Sequence, residues 1–495
     1  MAGDVRLISA LLGLLIGVLS LVMIGEVIFR LLRFDHRDFS CMESLVVAFG
    51  LGNGAAVLEL FFFILGNLPL TCWALMIPWL LAGGSLLYGW WSRRQRLAVG
   101  RLPASSVVSG FSSPSGQEGP WAWWELFLVL ALALGMLDTF ITTATTPFPT
   151  SDAIAFWAPK AKLFYEHRFA PFAAVYDLQE FPHPDYPLFL PLTEVWLFLW
   201  MGQMNEYLMK FLFPVYTVFL VLSTWAIISR LAGRRSALLA AGLLATTPFV
   251  LLHGTIGYAD LLLALYYWLA TAWLCVWMQT PQYPFLLLGA IFLGLTGWIK
   301  NEGLPLMLLN GCALVAYLLA RRRSGRVRTL RTALLFSGAA MVFLPPWFFL
   351  QHSLGLESDL SIPPLANLPS QALQRFWPIA KAFGRELFAP VAIFTKWNLA
   401  WYLLALVVVF YNRNIWQSWL RYPALLMAGQ VMVYVGVYII TPYKVDWHMA
   451  TSLDRLFLHF YPLALLLLVC GPIPYPHSTG PRQSPGACSH GASAA

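Results

Sequence analysis

Apolar runs of about spanning length recur from Leu7 to Cys470, broken by short charged or Gly/Pro-rich stretches. A hydrocarbon core of ~30 Å asks for roughly 17–25 such residues per α-helix. Lipid offers backbone N–H and C=O groups no partner, so each run must satisfy them internally, as a helix does. The pattern predicts thirteen spans, near 7–29, 44–66, 72–91, 121–145, 206–229, 236–253, 260–278, 285–299, 304–320, 332–350, 397–411, 422–441 and 456–473. The expected fold is an all-α polytopic membrane protein. The first run is too long and uniformly apolar for a cleaved signal and reads as a retained span.

Charge fixes the expected orientation. Arginines cluster at Arg30/Arg33/Arg37, Arg93/Arg94/Arg96/Arg101, Arg230/Arg234/Arg235 and Arg321 to Arg331, with Arg413 and Arg421 flanking another short loop. Basic loops stay cytoplasmic, which puts the N-terminus outside and the C-terminus inside. The apolar segment 186–202 is then a helix lying on, or dipping into, the outer surface; as a full span it would carry Arg230–Arg235 to the wrong side. Three outer segments are long: 146–205, 351–396 and 442–455. The organisation follows as three N-terminal spans (1–101), a Pro/Gly/Ser-rich cytoplasmic linker (102–120), a membrane module with its large outer loop (121–350), a second outer loop with the last spans (351–473), and a disordered tail (474–495).

Composition agrees with the membrane class: 59% of the 495 residues are hydrophobic and 11% charged, against about 25% charged in soluble domains. The formal charge of +8 sits largely in short loops, which argues against nucleic acid. Six cysteines without paired spacing exclude a disulfide framework and a zinc site.

Under this topology all seven lysines fall outside or at outer ends of spans. Most acidic residues and histidines join them. Positive-inside sorting does not account for mixed-sign groups gathering on the opposite face, and ionisable groups at membrane depth tend to be functional. The expectation is a polar cavity opening outward.

Five segments would line it. In 145–167, Asp152 is placed to act as a general base on a hydroxyl, with Lys160 and Lys162 as phosphate-binding point charges; a helix N-cap is the plainer role for Asp152. In FPHPDYPLFLP (181–191), prolines frame His183, Asp185 and Tyr186. Asp260 opens a span, as a helix cap or as a carboxylate at the cavity rim. GWIKNEGLPL (297–306) puts Lys300 and Glu302 into a connection where a plain turn needs neither. In 441–462, Arg455 and His459 share one face of the last span, behind His448; Arg455 is the candidate for bidentate phosphate binding.

The segments SDAIAFWAPKAKLF (151–164), HPDYPLFLPL (183–192), RLAGRR (230–235), GYADLLLALYY (257–267), KNEG (300–303) and SLDRLFLHFYP (452–462) occur in an order that resembles the GT-C superfamily of membrane glycosyltransferases. The chain is most similar there to bacterial protein O-mannosyltransferases and the lipid A aminoarabinose transferase. The resemblance covers roughly 140 to 470. It implies juxtamembrane helices in the large outer loop, a catalytic Asp matched by Asp152, a polyprenyl-phosphate sugar donor and inversion at the anomeric carbon. Ala153 stands where the protein mannosyltransferases carry the Glu of an Asp-Glu pair.

The expected function is therefore an inverting glycosyltransferase at the outer face of a bacterial inner membrane. Its partners are the lipid-linked sugar, membrane lipids and a glycan, lipid or protein acceptor. No cofactor is called for, with a divalent metal left open. Trp196, Trp200 and Trp377 are candidates for the sugar site or the interface belt. The competing expectation is a transporter or flippase of lipid-linked or anionic solutes, whose mark would be broken helices and midplane polar groups.

Overall fold

The computed structural model describes residues 2–68, 70–99, 119–147, 152–168, 170–178, 181–320, 326–358 and 368–474. The linker 102–120, save its last two residues, and the tail beyond Pro474 lie outside the described residues. Every regular element among them is helical. Among the described residues nine helices are long and apolar enough to cross a bilayer, or up to eleven if two bent pairs each count as one span. The protein is a helical, multi-pass membrane protein.

Four of the thirteen expected spans come out differently. The run 332–350 is the bent pair Leu330–Met341 and Leu344–Ser353, which meet at 45°. The run 236–253 divides into Arg234–Ala245 and Pro248–His253. Pro248 lacks the N–H that would continue the first helix and instead starts the second. The run 285–299 is the 14-residue helix Tyr283–Thr296. Near 397–411 the helices Pro390–Trp397 and Ala400–Gln417 meet at 111°, with Asn398 at the corner in a positive-φ conformation (56°), which Asn tolerates better than most residues.

One helix forms the centre. Ala259–Gln279 is buried along nearly its whole length and packs against Leu212–Ala232, Tyr283–Thr296 and Val445–Cys470. The first two spans, Ala2–Leu31 and Cys41–Leu65, meet backbone to backbone. A Cβ on Gly25 would fall 1.6 Å from the Ala48 carbonyl oxygen, and one on Gly52 1.7 Å from that of Leu21. Small residues permit such crossings, where dispersion replaces the hydrophobic effect that lipid does not supply. Cys72–Gly89 and Trp123–Thr145 are mostly exposed apolar surface, as lipid-facing helices are.

The segment 186–202 takes the inserted alternative. Its helix, Phe189–Met201, is buried on nearly every side. Trp196 Nε1 donates to Ser20 Oγ at 3.0 Å, and Thr193 Oγ1 to Asn53 Oδ1 at 2.9 Å. At 1.5 Å per residue it measures about 20 Å, too short to span. Trp196 is accordingly a packing residue within the bundle, whereas Trp377 is well exposed, on the amphipathic helix Leu368–Phe388 of the second long loop.

The helices carry charge at both ends. One end holds Arg230, Arg234 and Arg235 with Glu43 and Glu125. The other gathers the N-terminus of Ala259–Gln279, the 297–302 connection, the turn beginning at Asp152 and the first turns of Val445–Cys470.

Candidate active site

Asp260 is the hub. It lies in the first turn of Ala259–Gln279, where the helix dipole favours a negative charge. Tyr258, not Asp260, occupies the N-cap position. The carboxylate is 2% exposed and turned to other elements. Lys300 Nζ is 2.9 Å from Oδ1, His459 Nε2 3.0 Å from the same oxygen, and Arg455 Nη1 4.0 Å from Oδ2. Asp260 is thus buried, against the rim position expected for it, and lies against two cations, Lys300 and Arg455.

Lys300 comes from the tight connection after Tyr283–Thr296. The turn closes with Gly303 N–H donating to the Lys300 carbonyl at 2.9 Å. A Cβ at Gly303 would lie 2.2 Å from the Thr296 oxygen, so the return of the chain requires glycine there. Glu302 binds the same ammonium at 2.9 Å. Burial opposes the charge of Lys300, but Asp260 and Glu302 outweigh it and raise its pKa above the ordinary range. Burial alone would push the Glu302 carboxyl up; Lys300 outweighs it and holds the carboxyl below its usual value. Glu302 Oε2 is buried and has no hydrogen-bond partner.

Arg455 and His459 follow one another by a helical turn, as their spacing predicts. Arg455 Nη1 lies 2.5 Å from Asp152 Oδ2, and Nη2 donates to the Thr451 carbonyl at 2.7 Å. Its guanidinium also stands 5.1 Å from the centre of the Tyr258 ring. His459 Nδ1 is 3.1 Å from the Tyr434 hydroxyl, which accepts from Gln430 Nε2 at 2.6 Å.

Asp152 precedes a π-helical turn, Ala153–Trp157, and makes no side-chain capping bond. π-turns recur at functional sites because they break the regular ladder. Its carboxylate is 20% exposed, so it and Arg455 (19%) form the accessible edge of a cluster whose Asp260–Lys300–His459 side is buried.

The remaining expected residues form a flank. Lys160 is buried, with Nζ donating to the His183 carbonyl at 2.9 Å. Burial outweighs the attraction of Asp185 and lowers its pKa to about 7. It straps the helix Ala158–Glu166 to the 181–188 loop. Lys162, two positions on, is exposed. Asp185 is buried; Oδ2 accepts from Asn301 Nδ2 at 2.5 Å and Oδ1 has no partner. Tyr186 stacks between Trp157 (5.7 Å) and His183 (5.0 Å), with Lys300 Nζ 5.9 Å from its ring centre. His448 stands apart, two helical turns before Arg455 and bonded to Thr441 Oγ1 at 2.8 Å.

Several members escaped sequence reasoning. Tyr434 and Gln430 lie inside an apolar run with no charge beside them. Lys396 joins Glu386 (2.9 Å) to Asp454 (3.1 Å), next to Arg455; all three carry the outer-side charge signal, but nothing in their spacing pairs them. No group of three or more His, Cys, Asp or Glu side chains among the described residues is arranged to hold a metal ion. No protein-family model, curated protein or solved structure matches this chain.

Proposed function

We propose that the chain is an inverting glycosyltransferase that moves a sugar from a polyprenyl-phosphate donor to an acceptor hydroxyl at the membrane surface. The observation that carries this reading is the convergence of Asp152, Asp260, Lys300 and Arg455 from four distant segments into one cluster, open only at its Asp152–Arg455 edge. Charged groups at such a place are costly unless they serve a purpose.

Asp152 takes the proton of the acceptor hydroxyl. The oxygen attacks the anomeric carbon from the face opposite the phosphate, the new C–O bond forms, and the bond to the phosphate oxygen breaks with its electron pair. The phosphate leaves as an anion and needs no strong acid. Arg455 and Lys300 stabilise that charge from positions set in advance by Asp260, which is how a preorganised site lowers a barrier. Of the two lysines first expected near the phosphate, Lys160 serves instead as a strap. Lys162 is exposed and is available to a lipid headgroup.

The test is purified protein in liposomes with labelled polyprenyl-phosphate sugars and candidate acceptors, beside Asp152→Asn. Transfer by the wild type should fall by two or more orders of magnitude in the variant, as for loss of a general base. Equal turnover removes Asp152 from the mechanism. A transporter is the second reading, favoured by the sharp break at Asn398 beside the Lys396–Glu386–Asp454 group, since broken helices with charged partners line transport sites. Transbilayer movement of the lipid-linked sugar without product supports it.

A further inference from the structure

We infer that Asp152 is the stand-in for the donor phosphate: it occupies Arg455 until a phosphate displaces it, and this exchange releases the carboxylate toward the acceptor. The inference rests on the donor reading above and adds to it the order of events. In the ion pair, the Asp152 oxygen that would take the acceptor proton is engaged by the Arg455 cation. The same pair, once exchanged, leaves the base beside the newly bound donor.

The geometry says which partner moves. Arg455 is held from three other directions: Nη2 on the Thr451 carbonyl, the guanidinium against the Tyr258 ring, and Asp260 Oδ2 at 4.0 Å from Nη1. Asp260 is occupied by Lys300 and His459 and is buried, so it keeps the cation in place without being available for exchange. Asp152 is attached through a turn of irregular helix, and its side chain is 20% exposed, against 2% for Asp260. An incoming phosphate approaches along that edge and offers oxygens to the planar guanidinium whose Nη1 now pairs with Asp152 Oδ2, a geometry to which guanidinium is suited. Release of Asp152 breaks its partly exposed ion pair with Arg455, and such pairs are modest. The phosphate replaces it on the same cation.

The consequence runs against ordinary expectation for a catalytic residue: removing the carboxylate should tighten phosphate binding while abolishing transfer. Binding of a short-chain isoprenyl monophosphate, with inorganic phosphate and the matching isoprenyl alcohol as comparison ligands, is measured on the full chain in lipid nanodiscs. Asp152→Asn should bind both phosphates about fivefold more tightly than wild type, the size of one partly exposed pair, and the alcohol no differently. Arg455→Gln should lose about tenfold or more, and adding Asp152→Asn to it should bring no gain. A gain that persists without Arg455 is a general charge effect and overturns the exchange. An Asp152→Asn protein that binds phosphate no tighter than wild type, with Arg455→Gln still weakened, overturns the exchange and leaves the donor site standing. Phosphate and alcohol bound alike by all four proteins overturns the donor reading and the exchange with it.

Discussion

The two charged ends of the bundle use similar residues to opposite effect. At the arginine end, Glu43 closes a capping box with Ser40, accepting the Ser40 N–H at 2.7 Å while Ser40 Oγ accepts the Glu43 N–H at 3.2 Å. The same carboxylate binds Arg230 in a fork, at 2.5 and 2.6 Å. Glu125 likewise accepts the Ala122 N–H at 2.6 Å and holds Arg234. Each carboxylate there caps the start of a helix and neutralises a neighbour, and all four of their oxygens are engaged. At the other end, Asp152 and Asp260 make no capping bond. Asp185 and Glu302 each keep one buried oxygen with no partner. An unpaired buried polar oxygen is costly in a low-dielectric interior, so these two oxygens mark the second end as less completely satisfied than the first.

Asp260→Asn tests that contrast hardest. It keeps the shape of the side chain but takes away the charge that aligns Lys300 and Arg455. Liposome transfer should fall by about ten- to a hundredfold, because small displacements of charged groups at a reacting centre are expensive. If transfer is unchanged while thermal stability drops, the second cluster is as structural as the first and the contrast is lost. Glu43→Ala should do the reverse. It leaves Arg230 partly buried without its fork and unmakes a cap, at a cost of about 2–4 kcal/mol. The melting temperature in detergent should fall, while turnover per folded molecule stays within about twofold of wild type. A selective loss of turnover in that variant would blur the two ends.

The smallest effect sharpens the flank. Lys160 has a folded-state pKa of about 7 against an ordinary 10.5. The unfolded chain therefore binds more protons between these values, so stability should rise with pH from about 7 to about 10.5 and carry the full penalty below 7. Lys160→Met should flatten that slope in melting curves taken across the window. An unchanged slope would mean that Lys160 is not the buried strap described above.

The expected participants were legible because each breaks a pattern: Lys300 and Glu302 interrupt apolar runs, and Arg455 with His459 shares a helical face. Their partners were not. Asp152 and Arg455 lie 303 residues apart, and no periodicity relates them. Lys160 and Lys162 read alike in the chain, yet one faces the 181–188 loop and the other is exposed, because the rotation of a short helix is set by what it packs against. The division at 246–248 had its proline in plain view, but a proline alone does not say whether a helix kinks or ends.

The sequence by itself determined that this is a bundle of membrane helices with charge at both ends, since hydrocarbon admits few alternatives for backbone hydrogen bonds and long apolar runs declare themselves locally. Only the tertiary structure decided that Phe189–Met201 inserts among the spans and that Asp260 is buried. It alone put Asp152 against Arg455. Each of these depends on which surfaces meet, and in lipid that choice rests on close packing and pairwise polar contacts between remote segments, which leave no periodic trace along the chain.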